Sequence, residues 1–216
     1  MPNLIIPRNN TKTMLEGIKE FTRDALRPFA KKITGVNPNT LTLSGLLLSL
    51  VSAIFFATRE LLLAGFFLLA SGFLDALDGL VARENSRITR FGGFLDSVCD
   101  RFGDAAVIIG AMYGGITSIS IIPGWLIGTI AIVGSLMVSY ARARAEAAGA
   151  DASVGIGERA VRMIIITIGA FIDVVNWAIL LVALLSFITV FQRIAHVKKV
   201  LKDPIKTPHI DPVKSH

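Results

Sequence analysis

The chain has a single cysteine, Cys99, which excludes an internal disulfide, a cysteine-based zinc site and a dithiol redox pair. It is also poor in charge, with 18% Asp, Glu, Lys and Arg, where average soluble domains carry about a quarter. The opening stretch MPNLIIPRNN lacks an apolar run ending in small residues, so no cleavable signal peptide is expected. Apolar side chains are what the sequence has in abundance: 53% of its 216 residues are hydrophobic and its mean hydropathy is +0.64. A polar disordered chain is excluded by that composition. An integral membrane protein is the class left standing. The net charge of +6 would suggest nucleic-acid binding in a soluble protein, but in a membrane protein such an excess has a topological cause.

A membrane-spanning helix needs roughly 20 mostly apolar residues. Six stretches qualify: 41–58, 61–82, 92–114, 121–145, 157–175 and 177–195. Sorting basic residues by side gives orientation. The segment before the first span, the 2–3 and 4–5 connections and the C-terminal end hold 21 of the 22 Lys and Arg, leaving Arg59 alone on the other side. Both termini are therefore expected to be cytoplasmic in a multi-pass cell-membrane protein. Trp125 and Trp177 fall beside the sparsely charged outer connections, where an amphipathic ring suits the headgroup level. Between Thr13 and Ile33, apolar residues recur at steps of three and four, interleaved with Lys and Arg, the pattern of an amphipathic helix lying in the interface. The expected organisation is an all-α protein: a cytoplasmic N-terminal segment (1–40) with that interfacial helix, a six-helix domain (41–201), and a disordered tail (202–216) carrying Pro204, Pro208 and Pro212.

Five aspartates fall inside the second and third spans: Asp75, Asp78, Asp96, Asp100 and Asp104. Intramembrane acids are expensive and default to a functional reading. Each set lies on one helix face, at i, i+3 and at i, i+4, i+8. Asp78 and Asp96 lie about 9 Å inside the membrane boundary, Asp75 and Asp100 about 14 to 15 Å. An antiparallel hairpin would bring these four together in two matched rungs. Four carboxylates so close need protons or cations. Oxygen ligands without His or Cys suit a hard ion, Mg2+ or Mn2+, or Ca2+ in a looser site. Two divalent ions would balance four carboxylates and suit phosphoryl chemistry. A cation or proton transporter, where such acids also cluster, is the alternative from another class.

Residues 75–100 read DALDGLVARENSRITRFGGFLDSVCD, or D-x2-D-G-x2-A-R-x8-G-x3-D-x3-D. This resembles the signature of the CDP-alcohol phosphotransferase family at every fixed position: Asp75, Asp78, Gly79, Ala82, Arg83, Gly92, Asp96 and Asp100. The resemblance implies transfer of a phosphatidyl-type group from a CDP-linked lipid to a small alcohol with release of CMP. It implies that Asp75, Asp78, Asp96 and Asp100 ligand two divalent ions, Mg2+ or Mn2+, with Asp100 also the general base on the acceptor hydroxyl. Gly79, Ala82, Arg83 and Gly92 would border the cytidine diphosphate. The run Asn37 to Thr42 resembles another family element, which makes Asn39 and Thr42 candidates for the nucleotide wall; simple N-capping is their other reading.

The segments SYARARAEAAG and GIGERAVR resemble those of phosphatidylinositol phosphate synthases and their archaeal ether-lipid counterparts. By that resemblance Arg142, Arg162 and Arg193 form a pocket for an acceptor phosphate, a group that calls for clustered guanidiniums. Arg144 and Arg159 are assigned to the topological surplus of positive charge. The expected acceptor is inositol phosphate, with phosphatidylglycerophosphate synthesis the runner-up and a homodimer implied.

Overall fold

The computed structural model describes residues 27, 28 and 35–201. The expected interfacial helix and tail lie outside these residues, except for Arg27 and Pro28. Six helices follow in order: α1 (Pro38–Ala57), α2 (Leu61–Glu84), α3 (Arg90–Tyr113), α4 (Gly124–Ala147), α5 (Arg159–Phe171) and α6 (Val175–Val200). Their ends follow local chemistry. The Asn37 side chain accepts from the Asn39 N–H and Pro38 occupies the first turn of α1, a preorganised start. Thr89 caps α3 by accepting from the Gly92 N–H at 2.9 Å. Arg59, at φ 65°, turns the chain between α1 and α2, and its Nε donates to the Gly114 carbonyl at 2.6 Å, pinning the end of α3.

Four helices, α1, α2, α4 and α6, are long and apolar enough to cross a membrane. The acids and arginines of α3 lower its hydropathy, and α5 has 13 residues, about 20 Å of helix. Leu47, Ile54, Phe66, Phe94, Phe102 and Phe191 point outward, an apolar surface suited to lipid. Trp125 and Trp177 are both more than half exposed, at the N-terminal starts of α4 and α6.

The packing departs from the expected hairpin. Among the described residues the backbones of α2 and α3 make little direct contact, although acids from both converge; α1 packs against both. One face of α1 carries Thr42, Gly45, Ser49, Ser52 and Phe56, all buried, and small residues let helix backbones close in without a hydrophobic driving force. The α3 side matches. A Cβ on Gly103 would meet Ser49, and one on Gly110 would collide with the Ala53 backbone. The second half mirrors the first: α6 packs against both α4 and α5. The halves join through α2 with α5 and α3 with α4, closing a ring α1–α2–α5–α6–α4–α3.

Every helix contributes to one apolar core, including Phe56, Leu68, Ile108, Ile127, Ile166 and Ile179. The core fills the end of the ring near the α1–α2 turn. The acids of α2 and α3 occupy the other end, on the two helices that form the seam with the second half.

Candidate metal and phosphate site

The acids divide into a converging trio and a pair held by arginines. Asp75, Asp78 and Asp96 each offer a carboxylate oxygen, and the three oxygens lie within 4.8 Å of one another. Asp78 is buried and its Oδ2 accepts the Thr42 hydroxyl at 2.6 Å. The Asp96 Oδ1 is buried with no hydrogen-bond partner, a state that costs about 1–3 kcal/mol for a polar group and more for a charged one. Three converging hard oxygens, one of them unpaired, fit a divalent Mg2+ or Mn2+ ion. Beside them lies a polar cavity of about 10 Å3 lined in part by Thr42, Ser49, Ser71, Asp75, Asp100 and Arg159, room for about one water.

Asp100 stands outside the trio. Its Oδ1 lies 2.9 Å from the Arg159 Nη1 and its Oδ2 accepts from the Arg101 Nη1 at 3.3 Å. The same Arg159 Nη1 lies 2.8 Å from Asp75 Oδ2. Arg159 Nε donates to Asp104 Oδ1 at 3.1 Å, and the other oxygen of Asp104 accepts from the Arg162 Nη2 at 3.0 Å. Arg159 is thus no spare topological charge, as its position in the sequence suggests, but the centre of three carboxylates. It gets there because α5 docks on α2, which aims the first turn of α5 at the acids.

The candidates for the nucleotide wall form the rim. A Cβ on Gly92 would meet the Thr89 hydroxyl and, at 3.2 Å, Asn39 Oδ1, so the starts of α1 and α3 touch there. The Arg83 guanidinium folds over Gly79, where a Cβ would lie 3.3 Å from Nη2. Arg83 is exposed and Ala82 half-buried. The capping alternative for Asn39 and Thr42 is decided against, since Asn37 caps α1 and the Thr42 hydroxyl serves Asp78.

The three acceptor candidates divide. Arg162 is buried; besides Asp104 it reaches the Gly157 carbonyl at 2.7 Å, and its Nε has no partner. Arg193 is buried but donates to the carbonyls of Val154 (2.9 Å) and Val138, so much of its capacity ties α6 to α4 and to the loop before α5. Arg142 is exposed and pairs with Glu146 at 2.8 Å. Arg162 and Arg193 nonetheless meet the same loop before α5, at the carbonyls of Gly157 and Val154. In the intervening loop, the N–H and hydroxyl of Ser153 hold the Asp151 carboxyl below its usual range.

Sequence reasoning gave Asp104 and Arg159 no role in the site. The signal for Asp104 was present, as the third member of the i, i+4, i+8 row on α3. For Arg159 the signal was its place in the GIGERAVR segment, from which only Arg162 was assigned to the site.

Residues 35–196 match the CDP-alcohol phosphatidyltransferase family. The chain belongs to that family. The match begins just before α1 and ends within α6, enclosing every acid and arginine of the site. Among curated CDP-alcohol phosphatidyltransferase relatives, the archaetidylinositol phosphate synthase of Pyrococcus horikoshii is 40% identical over 88% of this chain and 99% of its own length. The phosphatidylinositol phosphate synthase of Mycolicibacterium smegmatis is 36% identical over 80% of this chain and 83% of its own. The crystal structure of the Mycobacterium tuberculosis phosphatidylinositol phosphate synthase with CDP-DAG bound superposes with a TM-score of 0.72 at 31% identity, covering 81% of this chain and 94% of that one. A second structure of that enzyme, in complex with manganese and citrate, gives 0.69 at 31% identity, over 83% and 88%. Membership of this transferase family decides against the transporter alternative.

Proposed function

We propose that this membrane transferase moves a phosphatidyl-type group from a CDP-linked lipid, CDP-diacylglycerol or CDP-archaeol, to inositol phosphate and releases CMP. The likeness to archaetidylinositol phosphate synthases at 40% identity over nearly the whole chain carries the reading. In it all six helices traverse the membrane, with both termini and the acids on the cytoplasmic side, and two copies associate.

The residues take the following parts. Asp75, Asp78 and Asp96, joined by Asp100, would hold divalent cations, Mg2+ or Mn2+. When bound, such ions supply the charge that orients a diphosphate and stabilises its transition state. Thr42 fixes the rotamer of Asp78 through its hydroxyl, so one ligand is already positioned. Asn39, Gly79, Ala82, Arg83 and Gly92 border the cytidine diphosphate; the small residues admit the nucleotide and Arg83 meets its charge. Asp100 takes the proton of the acceptor hydroxyl as that oxygen bonds to the lipid-linked phosphorus. The bond from this phosphorus to the CMP oxygen breaks, and CMP leaves. Arg142, Arg162 and Arg193 receive the acceptor's own phosphate, for which Arg162 offers an unpaired buried Nε.

CMP release tests the assignment. Purified protein with Mn2+ or Mg2+ and CDP-lipid is expected to release CMP with inositol phosphate, and to lose this on Asp100→Asn by a factor of about 10²–10⁴. Release only with glycerol phosphate moves the acceptor; no release with any small alcohol overturns the reading.

A further inference from the structure

We propose that Arg159 is a resident counter-cation: it bridges Asp75 and Asp100 while no divalent ion is bound and surrenders them when one enters, staying anchored on Asp104. The proposal rests on the divalent-ion reading of the acids and adds the protein's own competitor for that site.

Three observations carry it. First, Asp75 belongs to two groups at once: its carboxylate is one of the three converging on a possible ion and it also faces Arg159 Nη1 at 2.8 Å. An ion that takes Asp75 and Asp100 as ligands contests both with the guanidinium. Second, the guanidinium divides its contacts by nitrogen. Nη1 serves Asp75 and Asp100, while Nε serves Asp104. Asp104 is itself fixed, because its second oxygen holds Arg162, whose Nη1 is bound in turn to the Gly157 carbonyl. A side chain held at Nε can release its terminal nitrogen without leaving the site. Third, the local charges do not balance. With every group ionised, five carboxylates (Asp75, Asp78, Asp96, Asp100, Asp104) face three guanidiniums (Arg101, Arg159, Arg162), an excess of two negative charges that one divalent ion would neutralise. The acids are thus partly compensated without metal, enough to lower the cost of a bare cluster, yet a cation is still attracted.

An ordinary structural ion pair would behave differently, and metal affinity separates the two. Mn2+ binding to the full-length protein in detergent is measured by the EPR signal of free Mn2+, after chelator treatment, on wild type, Arg159→Gln and Arg159→Lys. With the competitor removed, Arg159→Gln is expected to bind Mn2+ at least about tenfold more tightly. Arg159→Lys keeps the charge but cannot hold Asp104 while bridging two acids, so it too is expected to tighten binding; a mere effect of the field would leave it at the wild-type value.

Thermal unfolding supplies the second readout. Metal-free Arg159→Gln is expected to melt below metal-free wild type, and the difference to narrow at saturating Mn2+, where only the Asp104 contact is still lost. A deficit that does not narrow with metal overturns the proposal, since Arg159 would then hold Asp75 and Asp100 in the loaded protein too. Unchanged or weaker Mn2+ affinity in both variants also overturns it. Wild-type protein that binds no Mn2+ overturns the metal reading and this proposal together.

Discussion

Two arginines that look alike in the sequence do different work at the level of single bonds. Arg193 is buried and satisfies the carbonyls of Val138 and Val154, joining α6 to α4 and to the loop before α5. Arg142 lies in solvent, paired with Glu146 one turn away. Arg193→Met is expected to lower stability by roughly 1–3 kcal/mol for each carbonyl left unbonded, whereas Arg142→Ala should cost about 0.3–0.5 kcal/mol. Thermal unfolding in detergent compares them, and equal shifts would remove Arg193 from its bracing role. If both also bind acceptor phosphate, both raise the KM for inositol phosphate, so stability and KM separate the brace from the binding. The acids themselves were legible residue by residue, because a carboxylate in an apolar run is too costly to sit there without a charge partner or a reaction to serve. Arg159 was not. An arginine in the first turn of a helix has the same sequence appearance whether it fixes topology or enters a site, and the docking of α5 on α2 distinguishes them.

For the helices, the boundaries were readable and the neighbours were not. Asn37–Pro38 and Thr89 mark the starts of α1 and α3 by their side-chain chemistry, and the expected spans agree with the observed helices to within a few residues. Acids of α2 and α3 converge as a hairpin would bring them, but the close α2–α3 packing is replaced, because connection length implies adjacency only when no third helix fits better. The small-residue face of α1 fits better. Gly110 is the tightest test of that fit, since a Cβ there would collide with the Ala53 backbone on α1. Gly110→Ala is expected to destabilise the fold by about 1–3 kcal/mol through overpacking and, by pushing α3 outward, to weaken Mn2+ binding. Gly72→Ala is the control: nothing lies within 4 Å of its Cβ, and a helix interior gains roughly 0.5–1 kcal/mol from the change. A harmless Gly110→Ala would mean that α1 and α3 have slack between them.

At the scale of the whole molecule, the lopsided distribution of basic residues predicts which connections face the cytoplasm. The single native cysteine is buried, so a Cys99→Ser background carries new labels cleanly. Ser120, between α3 and α4, and Ser153, between α4 and α5, are both exposed. In intact cells stripped of any outer wall, Ser120→Cys is expected to react with a membrane-impermeant maleimide and Ser153→Cys only after lysis. The reverse pattern would invert the protein and move its acids to the outer face.

The closed ring also bears on how the protein is made. Chains emerge N-terminus first, and Asp104 precedes Arg159 by 55 residues and Arg162 by 58. When α1, α2 and α3 have entered the membrane, all five aspartates are present but two of the guanidiniums that face them have yet to be synthesised. The nascent three-helix intermediate therefore has only Arg101 of the three guanidiniums that face its five aspartates. Its passage into the bilayer depends on borrowed protons or cations until α5 arrives with its own.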